Sequence, residues 1–124
     1  MSAKKILVID DDTAVRYTLK KILLNAGFEV LEAPDGKKGM QLFQLDRPDL
    51  VITDIIMPEQ EGIETIIALK NTSPDAPIIA ISGGGRIGNE DLLRMATRLG
   101  ADAILHKPFG EAELVNVVKA KLAA

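Results

Sequence analysis

Three consecutive aspartates, Asp10, Asp11 and Asp12, close an apolar run near the start of the chain, and Asp54 closes another within LVITDIIMP, residues 50–58. Ser82 ends a third such run, and Lys107 follows a further one within HKPF. A carboxylate at the mouth of an apolar segment is costly unless something positive meets it. Two carboxylates about 4 Å apart repel by about 4 kcal/mol at an effective dielectric of about 20. If Asp10, Asp11 and Asp54 converge, each raises the pKa of the others unless a cation sits among them. One lysine does not balance three acids. A hard divalent ion with oxygen ligands does, and Mg²⁺ keeps several waters while using one or two carboxylates plus a phosphate. A phosphoryl group entering that shell could be held by the ion, by the Lys107 ammonium and by the Ser82 hydroxyl. Asp54 is then a candidate nucleophile that takes the group as an acyl phosphate. Positioning and charge neutralisation are most of what phosphoryl transfer asks of a protein.

These residues can meet only if the chain gathers the ends of its strands. KKILVI (4–9), FEVLEA (28–33), DLVIT (49–53), APIIAIS (76–82) and DAIL (102–105) are short, apolar and bounded by turn residues, as strands are. Helical spacing lies between them. Val15, Leu19, Ile22, Leu23 and Ala26 share one face, ended by Gly27. Asp35 can cap a helix carrying Met40, Leu42 and Phe43, which stops before Arg47-Pro48. Ile63, Ile66, Ile67 and Lys70 form a third stripe. A fourth runs through Leu92, Met95, Ala96 and Leu99, from a cap at Asn89 to Gly100, and a fifth through Leu114, Val117, Val118 and Leu122. The order (βα)5, with near-continuous apolar strands, predicts an α/β fold with a parallel five-stranded sheet covered on both faces. Right-handed crossovers favour a doubly wound arrangement. In such sheets ligands bind outside the carboxyl ends of the strands, near the point where strand order reverses. Three acids, a hydroxyl and an amine, from four strands, converge on that rim.

Composition narrows the class. A chain of 124 residues can bury one sizeable core, and 47% hydrophobic with 27% charged residues is ordinary for a globular domain. No apolar stretch approaches the roughly 18 residues of a membrane span, and the start, MSAKKILVIDDD, lacks the apolar core and cleavage site of a secretory signal. With no cysteine and a single histidine, His106, thiolate and histidine-rich metal sites are excluded. A cytoplasmic location is expected. The net charge of −3 and only three phenylalanines and one tyrosine argue against direct nucleic-acid binding, and no membrane partner is expected.

Taken together, ILVIDDD, VITDIIMP, Ser82 and KPF, in this order and spacing, resemble the receiver domain of two-component response regulators, of which the chemotaxis regulator is an example. Alone each motif is weak; jointly they are highly specific, and the likeness covers about Lys4 to Leu122. The resemblance implies a flavodoxin-like fold with strand order 2-1-3-4-5. It implies that Asp54 accepts a phosphoryl group from a phosphohistidine on a sensor histidine kinase or phosphotransfer protein, and that the domain then acts on a downstream protein target or output domain. It further implies that Asp11, Asp54 and the backbone carbonyl of Ile56 bind Mg²⁺ (or Mn²⁺) directly and Asp10 through water. Ser82 and Lys107 would contact the phosphoryl oxygens, and Lys107-Pro108 would be a cis peptide. The expectation is one receiver domain over residues 1–124 with no effector domain in the chain, a phosphoacceptor that helps catalyse its own phosphorylation rather than a multiple-turnover enzyme. A stand-alone receiver and one cut from a longer regulator fit equally.

Two departures stand out. Receivers usually carry an aromatic residue three positions before the lysine; here it is Ile104, a branched aliphatic that does not report the hydroxyl's movement in the same way. Ile56 and Gly84 occupy positions that tune phosphate loss in the family, and neither side chain can orient an attacking water, so slow self-dephosphorylation is expected. The three glycines after Ser82 predict a mobile loop, matching no phosphate-cradle motif. Asp12 reads as a helix N-cap rather than a ligand, with Thr13 the rival cap, and His106 as a surface residue. Arg94, Arg98, Lys119 and Lys121 lend the fourth and fifth helices a basic character that solvation explains as readily as binding. The alternatives are a phosphorylation-independent, receiver-like binding module and, with less support, a small metal-dependent hydrolase.

Overall fold

Ile6 to Ile9, Leu50 to Ile52 and Ile78 to Ile81 are buried throughout, which successive strand residues achieve only in a sheet covered on both faces. The computed structural model describes residues 3–55, 61–82, 94 and 96–123. The strands are β1 (Lys5–Ile9), β2 (Glu29–Ala33), β3 (Leu50–Asp54), β4 (Ile78–Ser82) and β5 (Ala103–His106). They pair in parallel in the order β2-β1-β3-β4-β5. Helices α1 (Thr13–Asn25), α2 (Gly36–Asp46) and α3 (Glu61–Thr72) follow the first three strands. Helical residues 96–99 belong to α4, and α5 (Glu111–Ala123) follows β5. This is the doubly wound, flavodoxin-like fold expected from the sequence, with the order reversing between β1 and β3.

Alternate strand residues feed two cores. Leu7, Ile9, Val51, Ile78 and Ala80 meet Phe43 of α2, Ile63, Ile66 and Leu69 of α3 and Ala96 of α4. Ile6, Val8, Leu50, Ile52, Ile79 and Ile81 meet Leu19, Ile22 and Leu23 of α1 and Leu114 and Val118 of α5. The sheet is thus pinned from both sides, which fixes where its carboxyl rim stands.

The helix punctuation is local chemistry. The Asp12 carboxylate accepts from the amides of Ala14 at 2.9 Å and Val15 at 3.3 Å, so Asp12 rather than Thr13 caps α1. Asp35 accepts from Lys38 N at 2.8 Å and caps α2. Gly27 after α1 and Gly100 after α4 take φ of +96° and +125°, left-handed backbone that side chains resist.

One stripe differs from expectation. On α3 the buried apolar positions are Ile63, Ile66 and Leu69, while Ile67 is 40% exposed. Lys70 is not part of an apolar face: its ammonium bonds the carbonyls of Ala76 (2.8 Å) and Pro74 (3.3 Å) and pairs with Asp102 at 3.2 Å. The same Asp102 oxygen accepts Ile78 N at 2.8 Å. Lys70 and Asp102 form a clasp at the amino ends of β4 and β5, the rim opposite the acids.

Candidate functional site

The chain leaves β1 at Asp10 and β3 at Asp54, adjacent strands whose ends lie side by side: Ile9 pairs with Thr53. Both acids are buried, Asp10 at 1% exposure and Asp54 at 5%. Asp54 is the last residue of β3, one further along the strand than the apolar pattern alone marks, because its neighbour Ile55 still donates to Ile81 O at 3.1 Å. Asp10, Asp11 and Asp54 each offer a carboxylate oxygen, all within 4.8 Å of one another. Lys107, beyond β5, brings its ammonium to 3.4 Å from Asp54 Oδ2 and 3.6 Å from Asp10 Oδ2. Three strands therefore deliver three acids and one cation to a single point on the rim. The Lys107–Pro108 peptide is cis.

Asp10 carries the electrostatic cost of this arrangement. Burial pushes its carboxyl up from 3.8 to about 6, and the nearby Asp54 and Asp11 add to the rise. The bond from Asp12 N to Asp10 Oδ1 (2.9 Å) and the Lys107 charge act in the opposite direction. The second oxygen, Oδ2, is buried and has no hydrogen-bond partner among the described residues, Lys107 facing it only at ion-pair distance, 3.6 Å, a condition that native proteins keep only for a reason. An oxygen-rich, acid-heavy cluster with one orphaned buried carboxylate oxygen fits a hard divalent cation. The donor set suits Mg²⁺ or Mn²⁺ and offers no soft ligand.

Around the acids, one connection was not foreseen from spacing. Arg16, on the first turns of α1, folds its guanidinium back so that Nη1 donates to the Asp10 carbonyl at 2.6 Å. Its Nε lies 3.7 Å from Glu32 Oε1, and Lys20 pairs with the other oxygen of Glu32 at 3.2 Å. The partners are six and sixteen residues from Arg16 in sequence, so no motif flags them.

The remaining candidates are placed as follows. Ser82 ends β4, in register with His106; its side chain lies outside the described residues, as do Ile56 and Gly84 and the glycine loop after Ser82. Ile104 is partly buried against the core on the α3 side of the sheet. His106 is exposed, as is Arg98. Among the described residues no helix is long and apolar enough to cross a membrane.

Residues 6–119 match the family described as response regulator receiver domain. Response regulator MprA of Mycolicibacterium vanbaalenii is 38% identical over 119 residues, covering 95% of this chain and 50% of that protein. The chain thus spans about half the length of the curated relatives it matches. Among solved structures, a CheY-like response regulator receiver domain protein from Methanospirillum hungatei superposes with a TM-score of 0.89 at 30% identity, covering 98% of this chain and 95% of that one. NtrX from Brucella abortus aligns with a TM-score of 0.90 at 30% identity, covering 98% of this chain but 27% of that one.

Proposed function

Because the chain belongs to the response regulator receiver family, whose members are signalling phosphoacceptors, we propose that Asp54 accepts a phosphoryl group from a phosphohistidine on a sensor histidine kinase or phosphotransfer protein. An oxygen of the Asp54 carboxylate attacks phosphorus, the P–N bond to imidazole breaks, and the departing nitrogen keeps the electron pair. The product is an aspartyl phosphate. The single observation that carries this reading is the convergence of Asp10, Asp11 and Asp54 within 4.8 Å, with Lys107 at 3.4 Å from the proposed nucleophile.

Each residue has a defined part. Lys107 lies 3.4 Å from Asp54 Oδ2 and, after transfer, faces the negative charge of the phosphoryl oxygens. Asp10 and Asp11, with Asp54 and the Ile56 carbonyl, would hold Mg²⁺ (or Mn²⁺), Asp10 through water. When bound, the ion supplies neutralisation of charge on the transferring oxygens. Ser82 is assigned to a phosphoryl oxygen, the position in register with the end of β5. Burial of Asp10 and Asp54 excludes bulk water from two of the three carboxylates. Ile56 and Gly84 place no hydrogen-bonding side chain at the positions assigned to tuning phosphate loss, which supports a long-lived phosphoryl group. The whole chain is read as one receiver domain, and its state is passed to a protein target or output domain.

The test is intact-mass measurement after incubation with Mg²⁺ and acetyl phosphate, alongside Asp54→Ala. A Mg²⁺-dependent gain of one phosphoryl group, absent in the variant, is expected. No gain and no Mg²⁺ stabilisation in a thermal melt would replace this reading with a constitutive, phosphorylation-independent binding module.

A further inference from the structure

We propose that Arg16 is a positioning residue for the acidic cluster: it holds the peptide between Asp10 and Asp11 so that the three carboxylates converge, and Glu32 at the end of β2 anchors it. The proposal rests on the phosphoacceptor reading above, since it assigns Arg16 to the same metal-holding acids.

The Asp10 carbonyl stands where β1 leaves the sheet. On its amino side Asp10 still follows the ladder, donating its N–H to Ala33 O at 3.1 Å. On its carbonyl side the partner is Arg16 Nη1 at 2.6 Å, a charge-assisted bond of the short, strong kind. That carbonyl belongs to the rigid peptide plane linking the two aspartates. Fixing the plane sets ψ of Asp10 and φ of Asp11, and with them the directions in which both side chains leave the backbone. Asp12 N grips Asp10 Oδ1 at 2.9 Å from the other side. The guanidinium is itself fixed. Its Nε lies 3.7 Å from Glu32 and its Nη2 donates to Thr13 Oγ1 at 3.5 Å, while the Arg16 amide donates to Asp12 O at 3.0 Å within the helix. With its side chain only 15% exposed, the arginine is a packed strut rather than a solvated surface charge. A planar fork can bridge a carbonyl and a carboxylate at once, whereas a lysine ammonium offers a single point. β2, which supplies none of the clustered carboxylates, thus takes part through Glu32.

Arg16→Lys separates positioning from charge, because the charge is retained and the fork is lost. Isothermal titration of the full chain with Mg²⁺ is expected to give a Kd raised about tenfold, the usual effect of losing a partner that orients metal ligands. At saturating Mg²⁺ the rate of acetyl phosphate labelling should return to the parental value, a split that general unfolding would not produce. Glu32→Gln, which leaves Arg16 in place but loosens its anchor, should raise Kd in the same direction by less. Lys20→Gln, which removes only the other partner of Glu32, should not raise it. A parental Kd in both Arg16→Lys and Glu32→Gln, even with an earlier melt, overturns the proposal alone. No Mg²⁺ binding by the parent overturns the proposal together with the phosphoacceptor reading.

Discussion

Replacing Asp10 by asparagine should stabilise the metal-free protein, although it damages the site. The carboxyl is raised from 3.8 to about 6, chiefly by burial. A difference of about two pKa units corresponds to about 3 kcal/mol. The folded chain holds this proton more tightly than the unfolded chain, so unfolding releases it, and stability falls as pH rises through the window from 3.8 to about 6. Above that window the whole penalty is present; below 3.8 it is gone. Asparagine keeps the shape and an oxygen for the Asp12 amide but carries no charge. Urea melts in chelator at about pH 8 should show Asp10→Asn more stable by about 1–3 kcal/mol, the upper value being the full ionisation cost. The advantage should shrink to about half at about pH 5 and nearly vanish at about pH 4. Saturating Mg²⁺ should narrow or reverse it, because binding stabilises only the parent's intact site. An asparagine variant no more stable than the parent at about pH 8, or an advantage that ignores pH, would refute the assignment of the cost to a buried, ionised Asp10.

Lys107→Gln removes the cation 3.4 Å from Asp54 and 3.6 Å from Asp10; acetyl phosphate labelling should slow by at least about tenfold while Mg²⁺ binds more tightly, read by mass and by titration. At Gly39 a Cβ would stand 2.9 Å from Ile9 Cγ1 and closer still to Cδ1, so Gly39→Ala should cost about 1–3 kcal/mol in urea melts despite better helix propensity. Adding Ile9→Val, which deletes Cδ1, should recover part of that loss. Lys70→Met strips the charged donor from the carbonyls of Ala76 and Pro74 and leaves Asp102 without its cation; a loss of about 1–3 kcal/mol is expected, with labelling at Asp54 unchanged. The phosphorylated protein, freed of donor, should keep its mass gain far beyond seconds, and decay within seconds would exclude the role given to Ile56 and Gly84.

What the sequence disclosed, it disclosed through chemistry with one local solution. Asp12 and Asp35 are acids placed just before helical runs, and both cap. Apolar strands alternating with helical patterns admit few windings and pointed to a doubly wound sheet, while the strand order itself came from the receiver resemblance and is the one observed. The acids converge because Asp10 and Asp11 follow β1 and Asp54 ends the adjacent β3. The α3 stripe was harder. Ile66, Ile67, Ala68 and Leu69 are consecutive apolar residues, so periodicity alone does not say which of them faces inward. Packing against the sheet chose Ile66 and Leu69. Arg16 was illegible for a different reason: its partner is a backbone carbonyl, which every residue possesses, and only the path of the chain brings that carbonyl within 2.6 Å.

The sheet order places β2 and β5 at its two edges, where unpaired backbone groups invite a neighbouring molecule to add a strand. β5 has only four residues, a short template. β2 carries Glu29 and Glu32 around a Val-Leu pair, and carboxylates on an edge repel a second copy laid alongside it. Glu32 therefore stands at two places at once: it puts a charged side chain on the edge strand, and it lies against the arginine beneath the acids. A change to valine there would extend the apolar edge and release Arg16 in one step, so that loss of solubility and weaker Mg²⁺ binding would arrive together.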